Sequence, residues 1–357
     1  MATNEQTIRA SDFSDTKKGL EWYQCPIERK LLLQLMKKNN WIPLLHNIGQ
    51  LGFWMATASF ALWTFHNLSW PWIVGAVYFH CFFLNFGGGA NGHELSHKTM
   101  FKTPALNEFF IRINGILFGF GGNYITFRRS HVKHHQFTVH NDLDMEVILP
   151  LKLRWYNWIF GLTINIQGMY ISIFRYFRYA FSRRREVILK SVWEQRNFPE
   201  TQPMALKKLV NWARFIVISH LLLAVVFIAT GNWILVMIIT FGPFTAGWFG
   251  LITTMPQHIG MKPDIADWRQ NTRTYIAGPI VRFFYWNMNY HVEHHMYPAV
   301  PYYNLPKLRK AIEDDLPIAT RGLITTWREV FKILKRQKQD PEYYAELVYP
   351  LEPLSNS

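Results

Sequence analysis

The sequence predicts an all-α integral membrane protein: four transmembrane helices in two hairpins, interfacial helices, and a cytosolic helical cap. Two charge gaps and the placement of the positive residues predict it. Between Lys38 and Lys98 there is no lysine or arginine, and the only acidic residue is Glu94. Between Arg214 and Lys262 there is no charged residue at all. A soluble domain carries about a quarter of its residues as charges, spread over its surface, so gaps this long need a dry environment. A spanning helix needs about 20 apolar residues, and each gap has room for two helices and a turn. The net charge is +14 over 357 residues, and the positive residues lie outside the gaps. The candidate turns TFHNLSWP (64–71) and ATGNW (229–233) carry no charge. By the positive-inside rule these turns face away from the cytosol, while both termini and everything basic face it.

The basic charge is accounted for by attraction to anionic headgroups. Nucleic-acid binding is not expected, because no basic module separates from the membrane part. Cys25 and Cys81 are too few and too scattered for a disulfide framework or a cysteine-based zinc site. The polar start MATNEQTIRASDFSDTKKG is not a signal peptide.

Residues 1–40 form a cytosolic arm with the short amphipathic piece IERKLLLQLMKK. The first transmembrane hairpin occupies 41–92, with helices over 41–63 and 70–92, and its glycines in LNFGGGANG (84–92) suit close packing. Residues 93–206 form a cytosolic and interfacial segment. Its apolar stretches 105–126 and 155–174 carry polar residues and are expected to lie at the interface. The second hairpin occupies 207–255, with helices over 207–229 and 232–255. Residues 256–357 complete the cap with amphipathic helices in LPKLRKAIEDDLP and TWREVFKILKRQKQ. The glycines of FGFGGN (118–123) have no βαβ context and serve helix packing rather than a nucleotide.

Nine of the 14 histidines are grouped. His93 and His97 follow the first hairpin, His131, His134 and His135 stand in RRSHVKHHQFT, His258 ends the second hairpin, and His291, His294 and His295 stand in NMNYHVEHHMYP. Spacings of three and four put side chains on one helix face, and the hairpin topology brings all four places to one membrane surface. His46, His66, His80, His140 and His220 are ordinary satisfied histidines. A zinc hydrolase uses three protein ligands and an open position, so the H-E-x-x-H pattern at His93, Glu94 and His97 would leave most of the grouped histidines unexplained. A carboxylate-bridged di-iron bundle needs two Glu-x-x-His copies, and only Glu94-x-x-His97 occurs. The nine histidines instead fit a dimetal site. Imidazole suits zinc, copper, iron or nickel, but metals under two apolar hairpins suit oxidation of an unactivated C–H bond, which needs a redox metal and dioxygen. Glu94, Glu293, Asp142, Asp144 and Asn289 are candidate acceptors that orient the ligating rings, with Asp142 and Asp144 equally readable as anchors of the second-box helix or as solvated loop acids.

At these residues the chain resembles the integral-membrane fatty acid desaturase superfamily, whose three histidine boxes stand here as HELSH, HVKHH and HVEHH. The resemblance covers residues 40–310. It implies a mushroom-shaped protein holding two iron ions, which uses O2 and two external electrons to remove two hydrogens or insert an oxygen. His258 falls where the family places a further ligand. Some animal members have an asparagine holding a metal-bound water four residues earlier, and Thr254 stands there instead. No His-Pro-Gly-Gly occurs, so a fused cytochrome is absent and a separate electron donor of ferredoxin, cytochrome b5 or rubredoxin type is implied. The wording NTRTYIAGPIVRFFYWNMNYHVEHHMYPAVPYYNLPKL is similar to the bacterial acyl-lipid branch, which includes dihydrorhizobitoxine-desaturase-like proteins. The expected activity is therefore desaturation of a fatty acyl chain or acyl lipid, with hydroxylation or a small amino-acid-derived substrate as alternatives. A membrane zinc protease and a non-catalytic metal-binding or transport protein are the readings of other classes. Arg128, Arg129, Arg273 and Lys262, near the boxes, are candidates for headgroup or donor contact, or simply positive-inside residues.

Overall fold

Prolines open the long helices, at the first turn where a missing N–H costs nothing. Pro71 stands in α3 (Trp70–Ser96), and Pro104 and Pro203 begin α4 (Pro104–Phe118) and α10 (Pro203–Ala229). The computed structural model describes residues 20–147 and 154–350. The polar start of the N-terminal arm (1–19), the short stretch 148–153 and the last residues (351–357) lie outside the described residues.

The arm contributes α1 (Arg29–Leu35), and α2 (Trp41–Asn67) pairs with α3 across the turn at Leu68 and Ser69. At 27 residues each, α2, α3 and α10 reach about 40 Å, more than the hydrocarbon thickness of a bilayer. Among the described residues, α3 and α10 are the helices both long and apolar enough to cross a membrane. α2 is as long, but Asn47, Gln50 and Thr57 make it less apolar; these residues are buried, while Trp41, Leu45, Ile48, Met55 and Phe60 are exposed. α10 likewise exposes Leu221, Leu222, Val225 and Ile228. Contiguous apolar faces of this kind need a lipid or protein cover.

α5 (Tyr124–Phe137) follows α4, and α6 (Trp155–Leu162), α7 (Ile166–Phe181), α8 (Arg185–Ile188) and α9 (Val192–Asn197) lead to α10. The cap then contains α13 (Trp268–Asn271), α14 (Pro279–Phe284), α15 (His291–Met296), α16 (Leu305–Ala311) and α17 (Leu323–Gln337). Its only described sheet is the short parallel pair β1 (Tyr275–Ile276) and β2 (Thr320–Arg321). One apolar cluster joins Leu35 of α1, Phe86 and Leu95 of α3 and Ile111 of α4 to Trp286, Met296 and Leu305 of the cap. In the FGFGGN stretch, Gly119 has φ +41 and a Cβ there would lie 2.5 Å from the His220 ring, so close packing does explain the glycine.

Two expectations need correction. The helix expected over 232–255 is broken into α11 (Ile234–Phe244) and α12 (Trp248–Thr254), and α11 ends in π and 3-10 turns. Pro243 supplies no N–H to a helix ladder, and Ala246 takes φ +56. The apolar stretch 155–174 is broken in step, into α6 and α7. The two breaks satisfy one another: Asn165 N–H donates to the Phe244 carbonyl and Ala246 N–H to the Thr163 carbonyl, both at 2.8 Å. The Asn85 amide of α3 donates to the carbonyls of Gly242 (2.9 Å) and Thr245 (2.7 Å). Irregular backbone at membrane depth persists only where protein supplies such partners. Asn85→Leu, which keeps the volume and strands two carbonyls, is expected to cost about 2–4 kcal/mol. Thermal unfolding in detergent would read this as a lower melting temperature, and an unchanged one would show that the amide is dispensable.

Candidate metal centre

Three helical pieces and one turn carry the grouped histidines. His93 lies in the last turn of α3 and His97 at its C-cap, so the first box is an extension of a long apolar helix. α5 is N-capped by Asn123, whose side chain accepts from Ile125 and Thr126 N–H, and it presents His131, His134 and His135. α15 presents His291, His294 and His295, and His258 follows the 3-10 turn after α12.

The structure brings all nine together as two groups. His93, His97, His131, His135 and His294 form one, and His134, His258, His291 and His295 the other; within each, the ligand atoms lie within 4.8 Å of one another. In the first group His97 Nε2 is 2.9 Å from His131 Nε2 and 3.0 Å from His294 Nε2, and His135 Nε2 is 3.1 Å from His131 Nε2. In the second, His291 Nε2 is 3.2 Å from His258 Nε2 and 3.1 Å from His295 Nε2. Imidazole nitrogens bound at about 2.1 Å and near a right angle around one metal stand about 3 Å apart. The buried His93 Nε2 has no hydrogen-bond partner among the described residues. This donor set fits two imidazole-bound metals.

The outer ring nitrogens decide which way the lone pairs point. His131 Nδ1 donates to Glu146 and His134 Nδ1 to Asp144, each at 2.8 Å. His258 Nδ1 donates to the Asn271 carbonyl at 3.1 Å. The Thr138 hydroxyl donates to the His134 carbonyl (2.7 Å), which leaves its oxygen to accept from His295 Nδ1 (3.1 Å) and the Trp268 indole (3.2 Å). His93 Nδ1 donates to Glu94 at 3.2 Å. With Nδ1 protonated and held, each of these rings turns an Nε2 lone pair inward.

Glu94 and Asp144 lie against Nδ1 of His93 and of His134, and the other three candidates have different partners. Glu293 accepts from Arg309 and Thr274, both at 2.6 Å, because it faces away from the rings of its own helix. Asp142, in the left-handed region at φ +67, meets Arg196 through its backbone carbonyl. Asn289 pairs with Tyr275 across β1. Glu146, Thr138 and the Asn271 carbonyl escaped the sequence reading; the one available clue was that Thr138 lies a helical turn after His134. Thr254 accepts from the Tyr285 hydroxyl at 3.2 Å. The five histidines set aside earlier are each partnered, as in His46 with Tyr302 and His220 with Thr240. Arg128 is taken by Glu108 and Arg129 by Asn197 and Gln202, Arg273 is buried, and Lys262 is exposed.

Burial sets the electrostatics. It pushes His131, His135, His291, His294 and His295 well below the ordinary histidine range, with like-charge neighbours adding to it. These rings are neutral and able to ligate. His134 differs: burial pulls it down, but the hydrogen bond and charge of Asp144 raise it overall. For Asp144 burial works upward and the His134 hydrogen bond wins, holding the carboxyl below its usual range. Val139, a buried β-branched residue at φ +57, is held by its N–H to Asp144 at 2.8 Å. Backbone strain of this kind persists where the surroundings over-determine it.

The profile of the fatty acid desaturase family matches residues 67–327, which include every grouped histidine. The chain belongs to the fatty acid desaturase family. Among its relatives, a sphingolipid delta(4)-desaturase DES1-like protein of Oryza sativa subsp. japonica is 27% identical over 262 residues, 71% of this chain and 70% of the relative. Sphingolipid delta(4)-desaturase DES1 of Drosophila melanogaster is 23% identical over 74% of this chain and 73% of its own. The human sphingolipid delta(4)-desaturase/C4-monooxygenase DES2 is 26% identical over 76% of each. This desaturase is an oxidoreductase of lipid metabolism, and its two histidine groups are of the kind that can hold a metal ion.

Replacing an outer partner of a metal-bound imidazole typically costs about 10–100-fold in metal affinity. Asp144→Asn and Glu146→Gln are expected to fall in that range, the first in the group containing His134 and the second in the group containing His131. Asp142→Asn should be silent. Metal retention against a chelator checks all three.

Proposed function

We propose that the nine histidines bind two iron ions and that the desaturase introduces a double bond into an acyl chain of a membrane lipid. The observation that carries the proposal is the division of the imidazoles into two facing groups of five and four. Glu94 argues against the zinc protease: its carboxylate is engaged behind the rings, with His93 Nδ1 at 3.2 Å and His294 Nδ1 at 3.7 Å, and is not free to activate a water.

Iron bound at this site supplies dioxygen-dependent oxidation of an unactivated C–H bond. The chain's own part is to hold neutral rings in one tautomer, to exclude water and to present the substrate. Phe86 of α3 packs edge to face on Phe249 of α12 and tilted against Phe284 of α14, an aromatic cluster at the end of α3 that carries the first box. In the overall balance two hydrogens leave the acyl chain, two electrons arrive from a separate carrier with two protons from the medium, and dioxygen leaves as two waters. The relatives' names support a lipid substrate over a small amino-acid-derived one, and a sphingolipid is the nearest class they offer. The human relative's double name supports hydroxylation as a second outcome of the same ligand set.

Under this reading α2, α3, α10 and the broken α11–α12 segment form four membrane passes in two hairpins, and the arm, the cap and both termini are cytosolic. The uncharged turns at 64–71 and 229–233 and the exposed apolar faces support that orientation. The arm (1–40), hairpins (41–92 and 207–255), interfacial segment (93–206) and cap (256–357) then serve as the working division of the chain.

Detergent-purified protein is expected to hold about two irons per chain, since imidazole sites of this size suit first-row metals. His97→Ala should empty the first group and His291→Ala the second, each abolishing turnover. Lipid profiles of cells with and without the gene should differ by species lacking two hydrogens, or by species gaining one oxygen if hydroxylation dominates. One zinc and no iron, with turnover insensitive to His291→Ala, would sink the proposal.

A further inference from the structure

A concavity with several charged residues on its wall lies in the cap, apart from the histidines. It is a cavity of about 810 Å³ between α17, β2, the segment 343–348 and the stretch before β1, lined among others by Arg273, Lys332, Lys335 and Glu329. That volume is in the range of small-molecule sites.

Arg273 is its defining residue. It is 8% exposed, and its Nη1 donates to the backbone carbonyls of Pro256 and Ile259. Its Nη2 has no hydrogen-bond partner among the described residues, and no carboxylate lies within ion-pair distance of it. Burial lowers its pKa only to about 10, so it stays cationic at neutral pH. Removing a charge from water without a partner is costly, and such groups are normally paired. The other arginines of this wall are already engaged: Arg269 by Asp267 and Asp315, and Arg336 by Glu346.

Lys332 and Lys335 stand three apart on α17, one turn of one face, and neither has an acidic partner among the described residues. Of the two acids on the wall, Glu346 is taken by Arg336, and Glu329 has no ion pair among the described residues. Three unpaired cations against one carboxylate leave a surplus of two positive charges. The planar guanidinium edge matches a tetrahedral oxyanion, and lysines supply charge around it. We propose that this cavity is a binding site for a phosphate group, held by the Arg273 guanidinium in its wall and by Lys332 and Lys335 at the mouth.

The site adjoins the third box through Thr274 and Val292, both on its wall, and Arg273 also braces the backbone around His258, so the variants that test it apart from the iron proposal are those of Lys332 and Glu329. The phosphate could come from a soluble compound or from a phospholipid headgroup at the membrane face of the cap. The shared chemistry is the same.

The test is calorimetric titration of inorganic phosphate into the full-length, detergent-purified protein in low-salt chloride buffer. Saturable one-to-one binding is expected. Arg273→Gln should weaken it about tenfold or more, the value of a lost charge-assisted hydrogen bond. Lys332→Gln should weaken it less, and Glu329→Gln should tighten it. Circular dichroism checks the folding of Arg273→Gln; if that variant does not fold, the opposite signs of the two exposed variants decide. Absence of saturable heat, or wild-type affinity in both Lys332→Gln and Glu329→Gln, overturns the site. Vesicles of phosphatidylcholine containing phosphatidylglycerol that displace bound phosphate, where phosphatidylcholine alone does not, identify a headgroup as the source. Vesicles of either kind that fail to displace it identify a soluble phosphate compound. Metal content is expected to be unchanged in Lys332→Gln and Glu329→Gln, so failure here leaves the histidine reading untouched.

Discussion

The arrangement depends on one unfavourable contact made tolerable: neutral imidazole lone pairs facing one another at about 3 Å in a dry interior. Left alone, these rings would rotate, share protons or admit water. For His93, His131, His134, His258 and His295 this is prevented at the far side of the ring, where a carboxylate, a hydroxyl or a backbone carbonyl accepts the Nδ1 hydrogen bond. The rest of the cap can be understood as scaffolding for those acceptors. α5 needs its Asn123 cap to start at the right residue, α13 delivers the Asn271 carbonyl and Trp268, and the turn after α5 accepts a strained Val139 to bring Asp144 under His134.

How much of this was legible in the sequence follows from which forces are local. Spacings of three and four within a box are helical geometry, so the nine histidines could be found without coordinates. The charge gaps reflect solvent, and the apolar helices could be found likewise. Glu146 could not, because it reaches His131 only after the chain has turned back along α5. Glu293 misled for the opposite reason: it sits inside a box, yet its helical phase sends it to Arg309. The break in the last apolar segment was written in Gly242, Pro243 and Gly247, but uniform hydrophobicity concealed it. Asn85, a polar residue in an apolar helix, was the visible sign that some backbone opposite needed a partner.

Membrane and cap are not separable layers here. α3 is at once the most buried of the long apolar helices, the donor of the Asn85 amide to the broken helix and the carrier of His93. A disturbance within its packing is transmitted along a rigid rod to the metal-binding end. Trp286 adds a second tie, stacked on His46 of α2 and hydrogen-bonded to Gln50 at 3.0 Å.

The boxes are interleaved between the groups. The second box gives His131 and His135 to one and His134 to the other; the third gives His294 to one and His291 and His295 to the other. As the polypeptide grows from its N-terminus, neither group can close until the third box has been made. The order of the thread therefore completes both groups only after α2, α3, α10 and the α11–α12 segment have been made.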